Sequence, residues 1–390
     1  MKKVCVVTGT RAEYGLLKPV IDKIYYSNRL ELQLVATGMH LSPDFGLTYQ
    51  EIESDGYPII KKIGMLLSSD TATDITKSMA VALMGFADFF EEHRPDMIVI
   101  LGDRYEMLVV ASAAMIAKIP IAHIHGGELT EGAYDDAIRH SITKMSQLHF
   151  VSTEEYRKRV IQLGENPENV YNVGALGVEN IKNVKLLSKE EIEKSLNFIF
   201  NDDTIMVTYH PVTLDTLSTK NQFNQLLNVI DKHQELKVIF TKANADTDGR
   251  IINSMIDEYV DKNKKRCIAF TSLGQVRYLS TLKLCKAVVG NSSSGIIEVP
   301  SFNIPTVDIG NRQKGRIASK SVIHCGYESR EIEVAIKQAF SSDFNKNIKF
   351  YTNPYEGVNT SQKILEIMEK NLDNKINIKK KFYDIDFHIK

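Results

Sequence analysis

Hydrophobic and polar positions along the chain fall into two alternating rhythms. Short β-branched runs at 4–7, 32–36, 97–101, 121–124 and 149–151 each end in glycine or a polar loop. Between them, stretches near 12–27, 71–93, 104–118 and 135–147 repeat apolar residues at helical spacing. Apolar runs of this length suit strands covered on both faces, and strands that alternate with helices predict a parallel sheet. The rhythm breaks at about 180–203, where KNVKLLSKEEIEKSLNFIFNDD is charged and ends in a turn-like Asn-Asp-Asp. It restarts with runs at 205–208, 237–241, 267–270, 287–289 and 306–309. The expected fold class is therefore α/β, with two domains of similar size facing each other. The first spans 1–180 and the second 200–358, and a C-terminal helical segment within 360–380 returns to complete the first.

In open parallel sheets, ligands sit beyond the carboxyl ends of the strands. Four charged loops lie there: GTRAEYG after the first strand, GDRYE after the 97–101 run, HIHGGE after Pro120, and YHP after the 205–208 run. Asp103, Arg104, Glu106, His123, His125, Glu128, Asp135, Asp136, Arg139 and His140 crowd into two of these loops and the helix that follows. A solvated helix face would spread its charges at helical spacing. These begin where strands end, which favours a working site. His123 and His125 are two apart and on a strand would face the same side. Asp135 with Arg139, and Asp136 with His140, are four apart and can meet across one helical turn.

Composition narrows the partners. With 390 residues and 43% hydrophobic content there is material for two cores. A net charge of -1 at 25% charged residues gives no global excess for nucleic acid or a membrane surface. Cys5, Cys267, Cys285 and Cys325 show neither CxxC spacing nor a disulfide framework, and are expected as core thiols in a reducing compartment. The apolar run after MKK is too short for a signal peptide, and no run of about 18 apolar residues occurs, so a cytoplasmic location is expected. His123 and His125 lack an HExxH pattern or a cysteine partner, so no metal is expected. The lysine-rich tail KINIKKKFYD reads as a solvated end.

The second half carries a different chemistry. GNSSSGIIEVPSFNIPTVDIGNRQKGR places Ser292, Ser293 and Ser294 between a strand and a helical turn, where N–H groups and hydroxyls can receive an anion. Glu298 can accept from two ribose hydroxyls, and the Arg312 guanidinium matches phosphate. There is no GxxxxGK[ST] loop, and GTRAEYG lacks GxGxxG spacing. A nucleoside diphosphate joined to a small group fits better than a dinucleotide.

In this order and spacing, GTRAEYG, GDRYEM, HIHGGE, DDAIRH, STEEY and GNSSSG with GNRQKGR resemble the hydrolysing UDP-N-acetylglucosamine 2-epimerases of bacterial sialic acid biosynthesis, from Val4 to about Arg316. The resemblance implies the GT-B fold of two facing Rossmann-like domains with a cleft between them, and the conversion of UDP-N-acetylglucosamine and water to N-acetylmannosamine and UDP. It implies no metal or redox cofactor, and a homo-oligomer, dimer or tetramer. It places Arg11 and Arg104 near the diphosphate, and His210, Asn244, Ser292, Ser293, Glu298 and Arg312 around the nucleotide. Asp103, Glu128 and Asp135 fall at the reacting sugar, with His125 and His210 as further catalytic candidates. Many relatives have HIEGGE where this chain has HIHGGE, so the acid-base role passes to His125 or Glu128. Within the resemblance, a UDP-linked 2,4-diacetamido-2,4,6-trideoxy sugar is the alternative substrate. Outside it stand a GT-B glycosyltransferase and a non-catalytic nucleotide-sugar sensor.

Overall fold

A computed structural model of the chain describes residues 1–386, apart from 68, 70, 132, 213–216 and 245–247. Thirteen strands build two sheets among these residues. The first holds β1 (Lys2–Thr8), β2 (Leu30–Thr37), β3 (Ile59–Ile63), β4 (Met97–Leu101), β5 (Ile121–Ile124), β6 (Leu148–Val151) and β7 (Val170–Asn172). The second holds β8 (Thr204–Thr208), β9 (Lys237–Thr241), β10 (Cys267–Phe270), β11 (Ala287–Gly290), β12 (Thr306–Ile309) and β13 (Val322–Cys325). Their orders are β3-β2-β1-β4-β5-β6-β7 and β10-β9-β8-β11-β12-β13, with every pairing parallel. In each sheet the winding reverses beside the first strand, between β1 and β4 and between β8 and β11. The loops after these four strands open into the crevices that such reversals create. They carry the 9–15, 102–106, 209–211 and 290–295 motifs.

Because strand side chains alternate, each strand of the first sheet feeds two cores. Val4, Val6 and Val99 pack against the helix Arg11–Tyr25 through Leu17, Val20, Ile21 and Ile24. Cys5, Val7, Ile98 and Ile100 face the opposite layer, formed by the helices Ala72–His93 and Tyr105–Ile116. The C-terminal helix Thr360–Asp373 contributes Ile364, Leu365, Met368 and Leu372 to the first of these cores, and Arg29 pairs with its Glu369 at 3.1 Å. Burying an apolar side chain of this size contributes up to about 1.5–3 kcal/mol, which fixes the returning helix to the first sheet.

The hydropathy pattern passes over β3, β7 and β13, and all three are edge strands. An edge is covered on fewer sides, so IIKKI and VIHC keep polar or exposed positions, and β7 has only three residues. The stretch expected as a break at 180–203 contains the helix Lys189–Leu196. A capping box between Ser188 and Glu191 starts it, and Ile192 and Leu196 are buried against Leu279 and Leu282 of the second domain. The tail is also more than a solvated end. Lys380 Nζ donates to the carbonyls of Lys144 (2.9 Å) and Ser146 (2.6 Å) and pairs with Glu165 at 2.6 Å. A lysine meeting the unpaired carbonyls at a helix C-terminus explains the docking. All four cysteines are free; Cys5, Cys267 and Cys285 are buried.

Candidate active site

The loops after β1, β4, β5, β8 and β11 converge on one cleft between the sheets, a cavity of about 340 Å³. Arg11, Asp103, Arg104, His125, Glu128, Asp135, His210, Asn244, Ser292, Ser293, Glu298 and Arg312 all line it. Residues as much as 301 positions apart are thus brought together by the two winding reversals.

On the first-domain wall, Thr10 caps the helix Arg11–Tyr25 and forms a capping box with Glu13, which leaves Arg11 projecting at the helix start. Arg11 pairs with Glu51 at 2.5 Å and donates to Ser272 Oγ on the second domain. Gly274 has φ 74°, and a Cβ there would lie 1.9 Å from Arg11 Nη2, so only glycine leaves room for that guanidinium. Glu13 accepts from the N–H groups of Gly9 (2.8 Å) and Thr10 (3.1 Å) through one oxygen, while the other has no partner among the described residues. Burial and the nearby Glu106 push its carboxyl up to about 7, against Arg104 and the two N–H donors. Arg104 in turn lies on the wholly buried Glu106, with Nη2 3.1 Å from Oε1.

The acidic and basic groups of the next two loops interlock. Arg139, on the helix Asp135–Met145, donates to Asp103 and to Thr130 Oγ1 (3.1 Å) and stands 3.7 Å from Glu128. Burial lowers its pKa. Glu128 also accepts from Ser152 Oγ (2.9 Å) and pairs with Arg316 Nη1 at 2.7 Å, across the cleft. Two guanidiniums thus balance two carboxylates in a largely dry pocket, the condition under which buried charges are tolerated. Asp136 pairs with His140, at 3.5 Å, and Arg139 pairs with Asp103 and Glu128.

The two histidines of HIHGGE part company. β5 ends at Ile124, and His125 takes a left-handed backbone at φ 67°, which removes it from the strand's alternation. His123 is buried, with Nε2 2.8 Å from Gly102 O and Nδ1 3.3 Å from Thr143 Oγ1, and burial drops its pKa to about 3. His125 lines the cleft, its Nδ1 3.6 Å from Glu128 and its Nε2 without a partner among the described residues. Burial lowers its pKa too, against the pull of Glu128, which leaves a neutral imidazole able to take up a proton.

On the second-domain wall, Ser292 caps the short helix Ser293–Ile297. Ser294 donates to Glu298 and shares a 2.6 Å hydrogen bond with Tyr278. Burial raises the Glu298 pKa, against the Ser294 hydroxyl. Asn291 clasps the His210 backbone, accepting from its N–H at 2.7 Å and donating to its carbonyl at 2.8 Å. Among the described residues, no group of three His, Cys, Asp or Glu side chains is disposed to hold a metal ion. Sequence spacing does not reveal the parts of Glu13, Ser272, Gly274, Tyr278 and Arg316. Their partners lie in other loops, and only the short GNRQKGR motif hints at the last.

Residues 22–369 match the family described as UDP-N-acetylglucosamine 2-epimerase. The chain is 45% identical over 384 residues to the GDP/UDP-N,N'-diacetylbacillosamine 2-epimerase (hydrolyzing) of Campylobacter jejuni, covering 98% of this chain and 99% of that one. It is 40% identical over 386 residues to the polysialic acid biosynthesis protein P7 of Escherichia coli, covering 99% and 98%. Among solved structures, the S. aureus MnaA-UDP co-structure superposes with a TM-score of 0.77 at 17% identity, over 98% of this chain and 100% of that one. The two-sheet α/β arrangement is GT-B-like, as expected.

Proposed function

The chain belongs to the UDP-N-acetylglucosamine 2-epimerase family, and from that premise we propose that it hydrolyses UDP-N-acetylglucosamine to N-acetylmannosamine and UDP, feeding sialic (nonulosonic) acid synthesis. The observation that carries this is His125, a neutral imidazole whose buried Nε2 has no partner among the described residues, in the lining of the same cavity as Asp103, Glu128 and Asp135, opposite the Ser292–Arg312 wall. In the first step a base removes the C2 proton. The C2–H electron pair becomes the C1–C2 double bond, and the C1–O bond breaks with its pair leaving on UDP. Water then adds its oxygen to C1 of the glycal, and a proton reaches C2 on the face that gives the manno configuration. His125 suits the proton transfers, while Asp103, Glu128 and Asp135 stabilise positive charge developing on the ring. Arg11, Arg104, Arg312 and the serines receive the departing diphosphate. His210 and Asn244 complete the nucleotide side, with Glu298 for the ribose.

A second substrate is favoured by one specific observation, the 45% identity to a diacetylbacillosamine 2-epimerase over nearly the whole chain. UDP-N,N'-diacetylbacillosamine would undergo the same elimination and hydration, and the apolar Met39, Phe45 and Leu101 in the cleft wall suit its 6-deoxy carbon. Incubation with each UDP-sugar in heavy water tests both. Released UDP with a free 2-epimer bearing deuterium at C2 is expected, and the faster sugar is the substrate. Absence of free 2-epimer from either would overturn the proposal in favour of sugar transfer to an acceptor. The exposed Leu83, Met84, Met115 and Ile116 on first-domain helices suit an interface between copies, and sedimentation would return the subunit number.

A further inference from the structure

We infer that Arg316 is a positioning residue that ties the placement of the Glu128 carboxylate to the seating of the nucleotide, an inference that rests on the cleft being the site of UDP-sugar cleavage. The residues concerned follow β12 in the GNRQKGRIAS stretch. At one end of this short segment, Arg312 Nη1 and Gln313 Nε2 both donate to the Asn291 carbonyl, at 3.2 and 2.8 Å. Asn291 directly precedes the serines of the nucleotide wall. At the other end, Arg316 reaches into the first domain. Its Nη1 lies 2.7 Å from Glu128, its Nε donates to Leu129 O at 2.7 Å, and its Nη2 donates to Thr130 Oγ1 at 3.3 Å.

The fork therefore grips three successive residues of the catalytic loop. Arg139 cannot replace it, because its guanidinium is engaged by Asp103 and Thr130 and stands 3.7 Å from Glu128. Arg316 and Glu128 side chains are 5% and 2% exposed, so the pair is dry. A dry pair offsets its own desolvation cost and adds little stability; what it supplies is a fixed register between the groups it joins. The segment is pressed against its target: Gly315 has φ 81°, and a Cβ there would meet Leu129 Cδ1 at 2.7 Å. Just beyond, the Ile317 N–H donates to the Tyr156 hydroxyl (3.1 Å) and its carbonyl accepts from Tyr355 (2.8 Å), the two tyrosines being hydrogen-bonded at 2.8 Å. Those hydroxyls sit in the apolar cluster shared by Val151 and Val178 of the first domain and Ile297 and Val322 of the second. One short segment thus touches the nucleotide wall, the catalytic carboxylate and the junction between domains. A shift of the serine loop on nucleotide binding is carried to the 128–130 stretch through the hydrogen bonds of Arg312, Gln313 and Arg316, and to the Glu128 carboxylate through the Arg316 ion pair.

The test compares wild type with Arg316→Met and Arg316→Lys in the full chain. Hydrogen exchange of the 128–131 backbone is followed with and without UDP, beside turnover of both UDP-sugars and UDP calorimetry. UDP is expected to slow exchange at 128–131 in wild type and not in Arg316→Met. That variant should lose at least ~30-fold in kcat with KM and UDP affinity within about two-fold, and millimolar guanidinium should restore part of the loss. Arg316→Lys keeps the charge without the fork. It should fall between the two, and it carries the test if the methionine variant does not fold. Unchanged exchange coupling in a folded variant, or kcat within about three-fold of wild type, overturns the inference. A wild type that shows the coupling yet releases UDP from neither sugar removes the proposed reaction and leaves the coupling standing.

Discussion

Nδ1 of His125 lies 3.6 Å from the Glu128 carboxylate in the lining of the cleft, while Nε2 of the same ring is buried with no hydrogen-bond partner among the described residues. A neutral imidazole beside a carboxylate on one nitrogen and unpartnered on the other is arranged to move a proton. His125→Asn tests this without disturbing the backbone, because asparagine tolerates φ 67° better than most residues. Turnover is expected to fall at least ~100-fold with UDP affinity intact, about 2.7 kcal/mol of transition-state stabilisation. His125→Glu should retain more activity than His125→Asn, since a carboxylate can also accept the proton. Equal loss in both would mean that the site requires imidazole itself.

Asp103 should behave differently from Asp135 although both line the cleft. Asp103 balances the buried Arg139, and removing one partner of a buried pair costs about 3–5 kcal/mol because the remaining charge is stranded. Asp103→Asn is therefore expected to lower both the melting temperature and kcat. Asp135→Asn, at the start of its helix, should lower kcat by at least ~100-fold with a smaller thermal effect. Thermal melts beside steady-state rates separate the two, and equal melting temperatures for both variants would discount the charge balance.

The strand-end motifs were legible in the sequence because hydrophobic period and glycine punctuation mark where β1, β4, β5, β8 and β11 stop. Parallel topology then decides that those ends share one cleft. What pattern alone does not carry is direction and pairing. His125 leaves its strand through a left-handed turn, so spacing misplaced it beside His123. Arg139 donates to Asp103, on a different loop, which no spacing within its own helix encodes. Arg316 pairs with a residue 188 positions earlier, and no local period encodes that. The edge strands β3, β7 and β13 were passed over for the opposite reason, since half-exposed strands carry a weak hydrophobic signal.

Nucleotide affinity should depend on a glycine that need not touch the nucleotide. A Cβ at Gly274 would occupy the place of the Arg11 guanidinium, so Gly274→Ala must displace Arg11 from the cleft wall. UDP binding by calorimetry is expected to weaken at least tenfold, about 1.4 kcal/mol, as it should in Arg312→Ala. Full affinity in both variants would remove the diphosphate from this part of the cleft.

Glu13 gives stability an unusual pH slope. Its folded carboxyl is raised to about 7, from about 4.3 in an unfolded chain, by burial and by Glu106. Between those values the folded state holds more protons, so this group's contribution falls as pH rises through the window. Glu13→Gln keeps an acceptor for the Gly9 and Thr10 N–H groups and removes the charge. Its stability relative to wild type should be greater at pH 8 than at pH 5 in denaturant titrations; a pH-independent difference would count against a proton held there.

Glu165 has the opposite sign and reports on the docked tail. Burial raises its carboxyl pKa, but hydrogen bonds from His149, Lys144 and Lys380 outweigh that and hold it at about 2. The stability it contributes is complete above about pH 4.3 and is lost as pH falls toward 2, because the folded state must then take up a proton against its donors. Lys380→Met removes one of the two ammonium groups and also the donor that meets the Lys144 and Ser146 carbonyls. The acid-unfolding midpoint is expected to move to higher pH, followed by circular dichroism, while Lys379→Met, which lacks that pairing, should leave it in place. If both variants unfold at the wild-type midpoint, the tail does not hold the end of the helix Asp135–Met145, and the placement of Asp135 at its other end owes nothing to residues beyond the C-terminal helix.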